Sequence, residues 1–153
     1  MQTGARIVTD FVAAVDVSGH YKITRTSLSQ NVFQISGDAD VLIYVKGRAE
    51  EPYTWGVTAN VITRLEQQEK KWFVILLYES KNTGYFLPAS DVLEYMQTTW
   101  PLGADGDYKP ATGGYLRNHQ PFFSFATFLE LMDQKKNKQR LVYQIRKKFP
   151  TKR

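Results

Sequence analysis

Apolar residues recur at Ile7, Val8, Phe11, Val12 and Val15, a single stripe at helical spacing. Thr3 reads as its N-cap and Ser18-Gly19 as its stop. From His20 to Gln30 the pattern turns polar and alternating. Tyr21, Ile23 and Arg25 interleave with Lys22, Thr24 and Thr26, which predicts a strand. A second short run, Val32 to Ile35, meets the turn cluster Ser36-Gly-Asp-Ala-Asp40, and the run Val41 to Lys46 then reads as its hairpin partner. Side chains alternate across a strand, so Val41, Ile43 and Val45 are expected toward one layer and Leu42, Tyr44 and Lys46 toward the other. After Glu50-Glu51-Pro52 the spacing predicts an amphipathic helix over 57–70, with Val57, Val61, Ile62 and Leu65 inside and Arg64, Glu66, Gln68 and Glu69 outside. Trp72 to Tyr78 is almost wholly apolar, as a strand buried on both faces must be. Tyr85 to Pro88 predicts a further short strand, and Ser90 caps a short helix through Met96.

Residues 98–120 carry no periodicity and read as a loop, long enough to be functional or mobile. Phe122, Phe123, Phe125, Phe128, Leu129 and Met132 lead into a docking helix, for which Thr127 and Glu130 match a capping box. A last helical stripe, Leu141, Val142, Ile145 and Phe149, is set among lysines and arginines. Strands joined by a crossover helix make the fold class α/β, with a mixed central sheet flanked by helices in three layers.

Composition narrows the picture only in places. At 153 residues with 42% hydrophobic and 23% charged, the chain suits one core. No apolar run approaches the ~18 residues of a membrane span, and the start lacks a signal peptide's apolar region, so a cytoplasmic protein without a membrane partner is expected. The absence of cysteine excludes disulfides and thiolate zinc sites. The two histidines, His20 and His119, lack ligand spacing. The net charge of +5 is unevenly spread. Gln134 to Arg153 holds nine basic residues and no acid, which leaves eleven Lys and Arg against fifteen Asp and Glu, a net of −4, in residues 1–133. The expected organisation is therefore a domain over 1–133 and a basic, helical or partly disordered tail over 134–153.

Asp40-Val-Leu-Ile-Tyr-Val-Lys46-Gly-Arg48 stands at the centre of this order: a strand-length apolar run ending in a lysine, followed by an amphipathic helix, then Phe73 to Tyr78 and Gly84 to Pro88. Over about residues 4–97 the chain resembles the PD-(D/E)XK nuclease superfamily, the restriction-endonuclease-like fold, and is closest to its small Holliday-junction-resolvase-like members. The resemblance implies a metal-dependent endonuclease in which two acids hold Mg²⁺ beside the scissile phosphate and a lysine orients the attacking water. It marks Lys46 as that lysine. The second acid of the pattern lies two residues earlier, and here that position is Tyr44, a neutral phenol and a poor ligand for a hard cation.

Asp40 shares Lys46's face but is six residues away, about 20 Å along a strand. Folding the hairpin about 36–41 sets the uncharged Asn31 opposite Lys46. The catalytic candidates are thus Lys46 and Asp40, with Glu50 and Glu51 for a rearranged site; Mg²⁺ is the cofactor if the chain is active, and the metal ligands are unknown.

Two classes of function follow. In the first, the chain is nucleic-acid-associated, either degenerate and binding DNA or RNA, or an active Mg²⁺ nuclease with a rearranged site. Arg48, Lys135, Lys136, Lys138, Arg140, Arg146, Lys147 and Lys148 would contact phosphates, and Tyr53, Trp55 and Tyr143 would stack on bases. In the second, the aromatic 98–125 region, with Phe122-Phe-Ser-Phe125, meets a protein partner or a second copy. Asp10 reads as a solvated helix residue. Asp105 and Asp107 faintly suggest calcium, without the EF-hand spacing. There is no glycine-rich phosphate loop and no nucleophile elbow.

Overall fold

A computed structural model describes residues 3–37, 40–112, 116 and 120–133. Along the chain the elements run α1 (Gly4–Ser18), β1 (Lys22–Arg25), β2 (Val32–Ser36), β3 (Val41–Arg48), β4 (Val57–Thr58), α2 (Ala59–Glu66), β5 (Lys71–Tyr78), β6 (Gly84–Pro88), α3 (Ala89–Thr98), β7 (Asp107–Tyr108) and β8 (Gln120–Phe122). A further helical stretch, α4, covers 125–133.

Six strands form one sheet in the order β1-β2-β3-β5-β6-β8. The strands β1, β2 and β3 make an antiparallel meander, β3 and β5 run parallel, and β6 and β8 continue antiparallel. A parallel pair cannot be closed by a tight turn, so residues 49–70 carry the crossover, and α2 lies within it.

The odd residues of β3 bury against one layer and the even residues against the other, as the alternation predicts. Val41, Ile43 and Val45 join Phe33, Phe73, Ile75 and Leu77 beneath α1 (Ile7, Phe11, Val15) and α4 (Phe128, Met132). Leu42 and Tyr44 join Val74, Leu76 and Leu87 beneath α2 (Ile62, Leu65) and α3 (Val92). The molecule is thus helix, mixed sheet, helix. Aromatic edges lock the first layer, with Phe11 and Phe128 rings 4.8 Å apart and T-shaped.

Local signals explain the ends of α1. The Thr3 hydroxyl accepts from the Arg6 N–H at 3.1 Å, and Gly19 stops the helix at φ 73, where a side chain would be strained. Asp10 sits on the solvent side, paired with Arg6 at 3.0 Å. Gly47 has a different purpose. A Cβ there would lie 2.5 Å from the Gly4 carbonyl oxygen, so the bare backbones let α1 begin directly against the end of β3.

Four local expectations are corrected. The hairpin register pairs Val32 with Tyr44, and the Val45 N–H donates to the Asn31 carbonyl at 2.9 Å, so Asn31 faces Val45 and not Lys46. The helix expected over 57–70 is shorter, because Val57 and Thr58 pair with β7 before α2 starts. The helix α3 begins at Ala89 after Pro88, which leaves Ser90 inside the first turn with no cap bond. Ser124, not Thr127, caps α4: its hydroxyl oxygen accepts from the Thr127 N–H at 3.2 Å.

The 98–112 part of the long loop is tied down. β7 pairs with β4, Thr54 bridges Ala111, and the Trp55 N–H donates to the Pro110 carbonyl at 3.0 Å. Trp100 and Leu116 bury into the α2-side core. No helix of the described residues is long and apolar enough to cross a membrane.

Candidate functional site

The strands β3 and β5 end together. In their parallel register Lys46 sits beside Leu76 and Arg48 beside Tyr78, and Tyr85 of β6 lies across from Leu76. One face of this C-terminal edge therefore carries Tyr44, Lys46 and Arg48 from β3, Tyr78 from β5 and Tyr85 from β6. Such an edge is where α/β sheets tend to hold ligands, since the side chains and following loops converge there.

Tyr44 and Lys46 share this face, and the Lys46 Nζ lies 6.0 Å from the centre of the Tyr44 ring. Their roles differ. Tyr44 is 1% exposed, and its hydroxyl oxygen accepts from the Thr58 N–H at the start of α2 at 3.2 Å. Lys46, one step nearer the edge, is half-buried.

The other sequence-derived candidates separate. Asp40 lies just before β3, at the opposite end from Lys46. There it accepts from the Gln34 side-chain amide at 3.3 Å, and Gln34 in turn accepts from Lys70 at 2.7 Å. Glu50 and Glu51 are exposed and follow β3 at the Lys46 end. Arg48 is partly committed to holding that segment, since its Nε donates to the carbonyls of Glu50 (3.1 Å) and Pro52 (3.2 Å). Trp55 is 3% exposed, with its indole N–H donating to the Leu77 carbonyl at 2.9 Å, so it is core and unavailable for stacking on a base. Phe122 is likewise buried, while Phe123 stands 70% exposed. Lys135, Lys136, Lys138, Arg140, Arg146, Lys147 and Lys148, with Tyr143, His119 and the stripe Leu141, Val142, Ile145 and Phe149, lie outside the described residues.

Three residues that sequence reasoning passed over complete the edge. Glu79 follows β5 at φ 66, a left-handed backbone rare for a residue with a side chain, and its N–H donates to the Arg48 carbonyl at 3.0 Å. Its carboxylate accepts from the Tyr53 hydroxyl at 2.7 Å. That bond, with burial and the nearby charges of Glu79 and Glu51, pushes the Tyr53 phenol up to about 12. Tyr78 and Tyr85 are also pushed above the ordinary phenol value, chiefly by burial. Nothing in the sequence flagged these three beyond their position at strand ends.

The Mg²⁺ site that the resemblance implies can be held against these residues. At the acid position stands the buried Tyr44 phenol, already bonded to Thr58. Asp40 is at the far end of β3. Among the described residues no group of three or more His, Asp or Glu could hold a metal ion. The donor set does not fit the implied site. The loop acids do not make a calcium site either: Lys109 lies 2.7 Å from Asp105 and 3.9 Å from Asp107, and its bond holds the Asp105 carboxyl below the usual range.

A search of protein families finds no match to this chain, and a search of curated proteins finds no relative.

Proposed function

We propose that this chain is a nucleic-acid-binding protein on a nuclease-like scaffold, which binds DNA or RNA without metal-dependent cleavage. The observation that carries the reading is the fate of Tyr44. At the strand position where the chemistry calls for a charged ligand, the side chain is a buried phenol spent on the start of α2. Lys46 beside it keeps a cation at the strand edge, suited to a phosphate contact. The element order supports the restriction-endonuclease-like reading of the fold: a leading helix, a three-strand meander ending in Lys46, a crossover helix, a parallel buried strand and a short antiparallel return. The nine cations of Gln134 to Arg153 supply the counterion-releasing charge that the acidic body lacks. The expected setting is the cytoplasm.

The test is titration with short DNA and RNA at two salt concentrations, beside a cleavage assay with Mg²⁺ or Mn²⁺. The reading expects salt-sensitive binding, weakened by Lys46→Ala, and no cleavage. Cleavage lost together in Lys46→Ala, Glu50→Ala and Glu51→Ala would instead establish a rearranged nuclease. No binding at either salt would leave the interaction reading, for which the exposed Phe123 is the starting point.

A further inference from the structure

The edge beside Lys46 gathers three tyrosines around a buried tryptophan. Tyr78 and Tyr85, on neighbouring strands and the same face, have ring centres 5.9 Å apart at 34°. The Tyr53 ring lies 4.9 Å from Tyr78 at 41°. Beneath them Trp55 meets Tyr78 and Tyr85 edge-on at 6.4 and 6.2 Å, itself fixed by its bond to the Leu77 carbonyl. The three tyrosines are half-buried, whereas Trp55 is enclosed. The Tyr53 ring is held by its hydroxyl's bond to Glu79, and the backbone of Tyr78 by its strand pairing and by the Thr83 carbonyl, which accepts from its N–H at 3.1 Å. The result is a row of half-buried, mutually packed rings at the end of a sheet.

We propose that Tyr53, Tyr78 and Tyr85 form a stacking ledge for the bases of an unpaired nucleic-acid strand. The inference rests on the nucleic-acid reading above and names the form of the ligand. Every base has a π-face, so stacking on aromatic side chains tolerates sequence, but a duplex has its faces already occupied. Charge at this edge points the same way. Lys46, Arg48 and Lys81 are matched in number there by Glu50, Glu51 and Glu79, so beyond the single contact of Lys46 the ledge offers phosphates no net charge. A contact made here depends on base faces, and its strength changes little with salt. Phosphate attraction comes from the basic segment after residue 133, and changes steeply with salt.

Three readouts test this. An oligo(dT) and an oligo(U), each substituted with 5-iodouracil, are cross-linked to the full chain and the adducts mapped. Tyr53, Tyr78 or Tyr85 is the expected site, and the two sugars compared give the DNA or RNA preference. Tyr78→Ala and Tyr85→Ala are expected to weaken binding of the unpaired strand roughly tenfold each, by the same factor at low and high salt. Tyr78→Phe and Tyr85→Phe keep the rings and should bind as the parent does. A duplex of the same length should bind more weakly than the single strand.

Oligonucleotides that bind while cross-linking only elsewhere, or that bind the folded alanine variants as tightly as the parent, overturn the ledge and leave the binding function intact. Absence of any binding overturns both. Should an alanine variant fail to fold, the cross-linking of the parent chain decides alone.

Discussion

Tyr44 is the residue on which the functional reading turns, and two substitutions there separate a packing role from a lost catalytic one. Tyr44→Phe keeps the ring and removes one hydrogen bond, the 3.2 Å contact from the Thr58 N–H. Losing an acceptor for a partly buried backbone donor costs about 1 kcal/mol, which for a chain of this size lowers the melting temperature by about 2–4 °C. Tyr44→Asp restores the carboxylate that the nuclease pattern calls for. It removes an aromatic side chain that is 1% exposed and packed with Leu42, Val74 and Leu76, at a cost of about 3–5 kcal/mol by analogy with other aromatic truncations. It also asks a carboxylate to ionise in that layer, which adds several kcal/mol more. Against a total stability of about 5–15 kcal/mol, the aspartate variant is expected to be largely unfolded and inactive. Urea unfolding followed by circular dichroism gives the stabilities, and a plasmid-nicking assay with Mg²⁺ gives the activity. A Tyr44→Asp chain that stays folded at near-parent stability and nicks DNA would refute the reasoning, because position 44 would then be a ligand position that tolerates charge.

Other outcomes follow from single contacts. Gly47→Ala drives a Cβ to within 2.5 Å of the Gly4 carbonyl oxygen, so α1 must shift; a loss of about 1–3 kcal/mol is expected in urea, and an unchanged midpoint would refute the close approach. The Tyr53 phenol, raised from 10.0 to about 12, holds its proton more tightly folded than unfolded. Its contribution to stability is therefore whole below about pH 10 and lost as pH rises toward 12. Ultraviolet titration of the folded chain should show the late-ionising amplitude fall by one tyrosine in Tyr53→Phe, with the raised Tyr78 and Tyr85 phenols remaining. Deleting 134–153 should leave a folded body, since Phe128 and Met132 already close the α1-side core, while flattening the salt dependence of nucleic-acid binding. Unfolding on deletion would make the segment after Asp133 part of the core.

What the sequence revealed and what it hid divide along a physical line. The runs Val32–Ile35, Val41–Lys46 and Trp72–Tyr78 were legible because burial on one or both faces dictates an alternating or unbroken apolar pattern. The sidedness of Tyr44 and Lys46 followed from the period of two alone. Register was not legible at that level. The turn between β2 and β3 sets which residues face each other, and a shift of one residue moved Asn31 from Lys46 to Val45. The two-residue pairing of β4 with β7 left no periodicity to read, so an anchored segment looked like a free loop. The site was half legible. Lys46 and Arg48 are neighbours in sequence, but Tyr78 and Glu79 join them only because β5 returns parallel to β3, in a register no spacing rule supplies. The positive φ of Glu79 has no glycine or asparagine to announce it.

Folding and metal chemistry compete for position 44. A charged ligand there would need an open, hydrated face beside Lys46. The crossover instead brings α2 down over that face, and the eight residues of α2 are too few to hold a helix without packing. Its N-cap, Thr58, makes no side-chain cap bond, and its backbone N–H donates instead to the Tyr44 hydroxyl oxygen. The ring fills the layer under Ile62 and Leu65, and the hydroxyl ties the helix start to the sheet. Lys46, two residues further along β3, is half-buried, with its Nζ 6.0 Å from the Tyr44 ring centre. The row of half-buried tyrosines at the same edge is what the proposed stacking on bases would use.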